Sequence, residues 1–319
     1  IRISQRYGTT ATTTGAGTFV IDRMRHENSN AGSTTAQQVT DAPPGFYNSM
    51  KITVTSTDTS VAAGDYSYFR HIIEGNNMNH LNWGSSNAKT VTLSFWVKSS
   101  IIGPHAGAFW NANFDRSFPF DYIINSANSW EHKSITVPGC PDGTWETGFG
   151  RGINVAWTQL SGSTYTGTPN QWNTAGDIAS ENLVNLLATS GATWYITGIQ
   201  LEIGSNATEF ENRPYAEEFK LCQRYYQNSY NQSIGQYPGN TNNDNGMIQT
   251  CWSDGNSPFG MFPTPMRQAP NVTLRQRGTN NTGKVENSGA QKTASAQQVS
   301  NQGVGYIAVS SGVAGSWCA

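Results

Sequence analysis

Five histidines, 21 acidic side chains and 10 tryptophans are the residues with which this chain could do chemistry. His26, His71, His80, His105 and His132 lie far apart, without HExxH, CxxC or paired histidines at helical spacing, so a transition-metal site has no local signature. No G-x-S-x-G elbow and no G-x-x-x-x-G-K-[ST] loop occurs. The stretch "GFGRGIN" has the glycines of a phosphate cradle but neither its lysine nor its strand-then-helix setting, and reads as a loop leading into a strand. Glycoside hydrolysis needs two acids roughly 5 to 10 Å apart across a cleft. Asp115 with Asp121, or Asp142 with Glu146, could take that role, but acids in the loops of a sandwich more often cap turns or hold a structural calcium. Glu209, Glu211, Glu217 and Glu218 flank the start of a helix, where carboxylates favour the positive end of its dipole.

Tryptophan is the more informative residue. Trp96 sits within a strand and Trp194 opens one, as packing groups do, whereas Trp83, Trp110, Trp145 and Trp172 stand beside Gly, Asn or Thr in loops or at strand ends. Rings of that kind near Asn, Asp and Arg suit a sugar-binding surface, with apolar sugar faces on the ring and hydroxyls on the polar groups. The local candidate is "FWNANFDRSFPF", with Trp110, Asn111, Asn113, Asp115 and Arg116, to which Trp172 is added; the competing reading is that these side chains merely fill loops.

The elements that would position such residues are strands. Charged residues make up only 13% of the 319, and the net charge of −2 offers no electrostatic footprint for duplex nucleic acid. The longest apolar runs, "SFWV" and "NLVNLLA", are far shorter than the roughly 20 residues of a membrane span, so no membrane partner is expected. Between residues 50 and 204 the chain gives one strand signal after another: "MKITVTST", "YSYFRHII", "TVTLSFWVKSS", "FPFDYII", "WEHKSITV", "INVAWTQL" and "ATWYITGIQLEIG". Turn-forming clusters such as "PPG", "EGNN" and "PGCPDG" separate them. That pattern predicts an all-β chain whose residues 1–212 form a jelly-roll β-sandwich.

After Pro214 the period changes. Tyr215, Phe219, Cys222 and Tyr226 recur at helical spacing, with Leu221 and Tyr225 beside them, which predicts a short amphipathic connecting helix over 213–228. Its four-three-four spacing is that of a seam between copies of one chain. Residues 229–319, with "GMIQTCWS", "NVTLRQRG" and "VGYIAVSS" as strand candidates, form a smaller β domain whose core is thin for one chain. Of the four cysteines, Cys140 and Cys222 read as buried thiols, and Cys251 with Cys318 is the one disulfide pairing left open. The chain begins at Ile1 without Met, which leaves room for a removed leader.

These residues resemble a family, the carbohydrate-binding-module-like jelly-roll virion proteins of tailed, often marine or cyanobacterial, bacteriophages. The resemblance rests on "SFWVKSS" at 94–100, on "NSWEHKSITVPG" followed by "GTW" between 128 and 145, on "YITGIQLEIG" at 195–204, and above all on "ATEFENRPYAEEFKLCQRYY" at 207–226. "IRISQR", "FVIDRM" and "FPTPMRQAPNVTL" are also similar to blocks of that family, although Pro214 and Lys220 depart from its pattern. The "NG" pair that precedes "IRISQR" there is missing, so a short N-terminal segment is expected to be absent here, and "SWCA" resembles a tail cut short of its usual acidic end.

The resemblance implies a structural protein of the virion, a tail fibre or capsid-surface protein, and supplies no catalytic residues or cofactor. It also gives the helix a purpose: three copies would bundle their Tyr215, Phe219, Cys222 and Tyr226 stripes while their sandwiches face outward. The expected partners are other copies in a homotrimer, other virion proteins and a host surface polysaccharide. The expected function is host attachment through a lectin-like surface. The alternatives are a capsid decoration or fibre-shaft protein with structural contacts alone, and a polysaccharide depolymerase.

Overall fold

The computed structural model describes residues 1–228, 256–258, 260–274, 282–287 and 290–309. By its internal contacts the chain divides into two units, Ile1–Arg213 and Pro214–Ala319. In chain order the strands of the first unit are β1 (Thr12–Thr13), β2 (Thr18–Ile21), β3 (Met24–Ser29), β4 (Ser33–Val39), β5 (Ser49–Ser56), β6 (Tyr66–Glu74), β7 (Val91–Ser99), β8 (Gly103–Trp110), β9 (Ser117–Ile124), β10 (Glu131–Val137), β11 (Arg151–Ser161), β12 (Thr166–Gly167), β13 (Ala179–Ser180) and β14 (Thr193–Ile203). Two six-stranded sheets result, with orders β1-β4-β5-β14-β7-β10 and β2-β3-β6-β11-β8-β9. From β5 onward the chain passes back and forth between them, apart from the β8–β9 hairpin, which makes the unit a jelly-roll sandwich.

The seven strands expected between residues 50 and 204 are all present, because each carries an apolar face of period two that must be buried. Met50, Ile52 and Val54 of β5, Leu93, Phe95 and Val97 of β7, and Trp194 and Ile196 of β14 point inward from the first sheet. They meet Phe69, Phe109, Phe118, Phe120 and Trp157 of the second. Each such side chain contributes about 1.5–3 kcal/mol by leaving water. The indole of Trp194 donates to the Tyr122 hydroxyl at 3.0 Å, a buried polar pair within this core.

Strands β2, β3, β4 and β8 lie outside the expected set. In β8, Gly107 faces a neighbour so close that a Cβ there would stand 2.2 Å from the Ala156 carbonyl oxygen and 2.5 Å from the Phe120 ring. Glycine is what lets β8 pair with β11 over that ring, and it also removes the side chain that would have marked the strand.

The second unit contains helix α1 (Tyr215–Gln223) and a four-stranded sheet of order β15-β18-β17-β16, from β15 (Asn256–Pro258), β16 (Lys284–Asn287), β17 (Ala290–Val299) and β18 (Val304–Val309). Ala294 and Ile307 are buried there with Leu274 against them. Strand β18 coincides with "VGYIAVSS", Asn271–Leu274 lies in no strand, and "GMIQTCWS", Cys251 and Cys318 lie outside the described residues. Helix α1 is shorter than its apolar stripe: it ends at Gln223, so Tyr226 falls beyond it, and Cys222 is buried. Of the four expected seam positions, Tyr215, Phe219 and Cys222 lie within the helix and Tyr226 follows its end. Tyr215 and Phe219 do stack, with ring centroids 6.0 Å apart, and Tyr215 is half exposed.

Candidate functional site

Strand pleating puts alternate residues of the second sheet on its outer face, and the registers align them in rows. One row crosses the whole sheet: Phe19 of β2, Arg25 of β3, Arg70 of β6, Ala156 of β11, Ala108 of β8 and Pro119 of β9. The next runs through Glu27, Tyr68, Thr158, Ala106 and Asp121. On the other side lie Asn154, Trp110 and Ser117.

The face is divided into two halves. Over β11, β8 and β9 it is covered: Ala108, Ala156, Asn154, Thr158 and Ser117 are almost wholly buried, and Trp110 is only 3% exposed. The cover is the segment from Ser163 to Ser180 together with Phe114. Thr158 donates to the Ile178 carbonyl at 2.5 Å, and the Ser117 hydroxyl, which accepts the Asp177 N–H at 3.1 Å, has the Ala175 carbonyl 2.7 Å away as the nearer acceptor for its one proton. Five rings close a circuit around this cover, Tyr66 to Tyr68, Trp110, Phe114, Tyr165 and back to Tyr66, with centroids 5.4–6.4 Å apart. These contacts are edge-on or tilted, the arrangement aromatic quadrupoles favour.

Over β2, β3 and β6 the face is open. Phe19, Arg25, Glu27, Tyr66 and Tyr68 are part-buried, each with some surface in solvent. Glu27 joins two cations, lying 2.9 Å from Arg25 Nε and 2.6 Å from an Arg70 terminal nitrogen. Arg70 also donates to the Asn154 side chain at 3.1 Å, while its own buried Nε has no hydrogen-bond partner. Burial pushes the Tyr68 phenol up to about 12, so it stays a neutral donor across the physiological range.

Of the residues expected to bind sugar, only Trp110 belongs to this face, and it lies under the cover, where no sugar can stack on it. Asn111 is fully buried. Its amide donates to Asp115 at 2.7 Å and to the Thr144 carbonyl at 3.1 Å, and its oxygen accepts from the backbone N–H groups of Asp115 and Arg116. All four of its bonding positions are used, so it organises the loop and has nothing left for a ligand. Asp115 is exposed and holds Asn111, Asn113 is exposed, and Arg116 forms an ion pair with Asp142 at 2.8 Å. That arginine holds the Asp142 carboxyl below its usual range. Trp172 lies elsewhere, in a cluster with Trp83 and Trp145 at 5.3 and 5.7 Å, its indole donating to the Pro138 carbonyl at 2.8 Å. The residues that sequence reasoning missed are Phe19, Arg25, Glu27, Tyr68 and Arg70; three of them stand in strands that no hydrophobic alternation announces.

The outer face of the first sheet is also aromatic, but closed on itself. Lys98, only 8% exposed, lies 4.2 Å from the Tyr195 ring and 5.2 Å from that of Trp130, and is paired with Asp41. Trp130 donates to the same carboxylate at 3.1 Å. Phe46 and Phe210 meet at 4.9 Å, and a Cβ on Gly198, at φ +59°, would stand 2.7 Å from Phe46.

Among the described residues no group of three His, Cys, Asp or Glu side chains could hold a metal ion, and no helix is long and apolar enough to cross a membrane.

No protein-family model matches the chain, and no curated protein matches it in sequence. Solved structures of similar shape are mostly carbohydrate-binding modules. The CBM4 structure has a TM-score of 0.31 at 15% identity, over 64% of this chain and 94% of its own. The family 11 carbohydrate-binding module of a cellulosomal cellulase of Clostridium thermocellum has a TM-score of 0.31 at 11% identity, over 63% of this chain and 99% of its own. The enzymatically active domain of tailspike protein 4 of bacteriophage CBA120 has a TM-score of 0.32 at 10% identity, over 57% of this chain; the chain spans 19% of that protein.

Proposed function

We propose that the Ile1–Arg213 sandwich is a non-catalytic glycan-binding domain of a phage virion protein, with the open half of the second sheet's outer face as its binding surface. The observation that carries the reading is the set of part-buried rings, Phe19, Tyr66 and Tyr68, placed among Arg25, Glu27 and Arg70. A pyranose presents apolar C–H faces and equatorial hydroxyls, and such a surface offers rings for the first and charged donors and acceptors for the second.

Absence of catalysis is supported by how the acids are used. Asp115 holds Asn111, Asp121 accepts from Ser180 and from Asn182, Asp142 pairs with Arg116, and Glu146 accepts the Gly148 N–H at 2.6 Å. Each is engaged in holding a loop, so neither Asp115 with Asp121 nor Asp142 with Glu146 is free to act as acid and base.

The virion role rests on the sequence blocks at 195–204 and 207–226. Self-association through the exposed Tyr215 and the part-buried Phe219 stacked on it would present several weak sites together and raise avidity without new contacts. Light scattering of the purified chain at micromolar concentration tests it, a monomer counting against the assembly.

The test of the binding reading is retention of the full chain on an array of glycans before and after periodate oxidation. Tyr68→Ala should weaken retention at least tenfold, and oxidation should abolish it. If no glycan retains the wild-type chain, the reading fails. Soluble reducing ends released from any retained polysaccharide would instead establish a depolymerase.

A further inference from the structure

The open half is cationic, in a chain whose net charge is −2. Three guanidiniums gather there about one ring and one acid. The Arg6 and Arg25 guanidinium carbons lie 5.3 and 5.9 Å from the Phe19 ring centroid, and Arg70 is the next residue in the row that runs through Phe19 and Arg25. Glu27 is shared between Arg25 and Arg70, so a single carboxylate serves both. The other nearby acid, Asp22 in the turn between β2 and β3, is buried, bonded by the Gln5 backbone and side chain at 3.2 and 2.7 Å, and attracted by Arg6 and Arg23, so it offsets part of this charge but not that of Arg25.

Desolvation sharpens the imbalance. Arg70 is 6% exposed and its Nε has no hydrogen-bond partner, so a buried charged group is under-coordinated at this spot. Arg25 has 32% of its side chain exposed and its Nε lies 2.9 Å from Glu27, an ion-pair contact without hydrogen-bond geometry, so its guanidinium keeps donors for a ligand. Gly17, at φ +78°, lets the turn before β2 pass close by: a Cβ there would stand 3.2 Å from the Arg25 terminal nitrogen.

Resting on the glycan reading above, we infer that this half-face selects saccharides that carry an oxyanion, a uronate carboxylate or a sulfate ester, with Arg25 as the recognising cation and Tyr68 and Phe19 flanking the sugar ring. A planar guanidinium fork matches either oxyanion with paired N–H···O bonds. On the outer face of the first sheet, by contrast, Lys98 is already enclosed by Asp41 and two rings, and Lys51 lies 5.7 Å from one of them, the Tyr195 ring.

The experiment compares retention of the full chain at about 0.15 M salt on two matched pairs of polymers: polygalacturonate with its carboxyl-reduced product, and dextran sulfate with dextran. The charged member of at least one pair should be retained tenfold or more over its neutral partner, and which pair responds separates carboxylate from sulfate. Arg25→Gln should bring that ratio to within twofold of one, and Arg25→Lys should restore part of it. Arg151→Gln, which removes one exposed positive charge from β11, should leave it unchanged, and unchanged melting curves confirm the fold of each variant. Should Arg25→Gln prove unstable, Arg6→Gln provides the same readout. Equal retention of charged and neutral partners, or retention of neutral glycans only, overturns the inference while sparing the glycan reading. If no glycan of any charge is retained, both fall.

Discussion

The two outer faces of the sandwich are built from the same kinds of residue and differ in how much of their chemistry is already spent. On the first sheet Lys98 lies among Tyr195, Trp130 and Asp41, so cation, rings and carboxylate satisfy one another. On the second sheet one half is sealed by a five-ring circuit, and beyond its boundary ring Tyr68, itself part-open, the other half leaves Arg25 part-open beside an arginine whose Nε is unpartnered. Aromatic residues on a sheet therefore do not by themselves mark a site. What marks one is bonding capacity left over after the fold has taken its share.

The largest effect that could break this comparison comes from Trp110. As a buried member of the covered half it should behave as core, and Trp110→Ala should cost about 3–5 kcal/mol of unfolding free energy. Urea denaturation of the full chain measures it. A variant of undiminished stability that no longer binds glycan would put the site under the cover instead of beside it.

The inner side of the open half gives the next effect. His26 of β3 is 1% exposed, packs 4.5 Å from Phe69 and bonds Ser67 at 3.1 Å; burial lowers its pKa from 6.5 to about 4. The folded-state value is the depressed one, so the unfolded chain binds a proton below pH 6.5 that the folded chain refuses until about pH 4. Stability is thus full above pH 6.5 and falls as the pH drops through that window, by about 3 kcal/mol in all. His26→Gln should flatten this part of the pH profile. An unchanged slope would show that other groups carry it, His71 first, whose burial also lowers its pKa to about 4.

On the first sheet, Gly198→Ala should cost roughly 1–2 kcal/mol, because a residue with a Cβ must hold a left-handed φ and displace the Phe46 ring. Thermal unfolding reads the loss, and glycan retention should not change. Loss of retention at full stability would move function to that face.

Strand existence was legible where a run of large apolar side chains alternated over most of the strand; β2 and β8 bury Val20, Ile21 and Phe109 without such a run. Met50, Ile52 and Val54 or Leu93, Phe95 and Val97 announce their strands because only period two hides them together. The same logic hid the site. Strand β3 reads "MRHENS" and buries Met24 and His26 beneath Arg25 and Glu27, so no alternation of apolar residues points to it. The row from Phe19 to Pro119 joins two hairpins, β2–β3 and β8–β9, to β6 and β11, and only register brings these separate stretches side by side. Local reasoning chose "FWNANFDRSFPF" because it gathered rings and polar groups in one stretch. Such groups lie close in sequence there because they bond one another, as Asn111 and Asp115 do. The helix shows the converse limit: Tyr226 keeps the spacing of Tyr215, Phe219 and Cys222, but the chain leaves the helix after Gln223, and periodicity alone does not register an end.

The smallest expected effect is the sharpest control on the comparison. Asp41→Asn removes the carboxylate that Lys98 and Trp130 share, and whose pKa the Lys98 hydrogen bond holds below the usual range. The acid is largely solvent-exposed, so the pair should be worth under about 1 kcal/mol. Lys98 keeps the Tyr195 and Trp130 rings, and the face stays closed. Retention on the charged polymers should remain within twofold of wild type, since a cation held between two rings is still unavailable to a ligand. A gain in retention would mean that Asp41 alone had been silencing Lys98, that the two faces differ by one carboxylate, and that this fold can present an acidic-sugar site on either side.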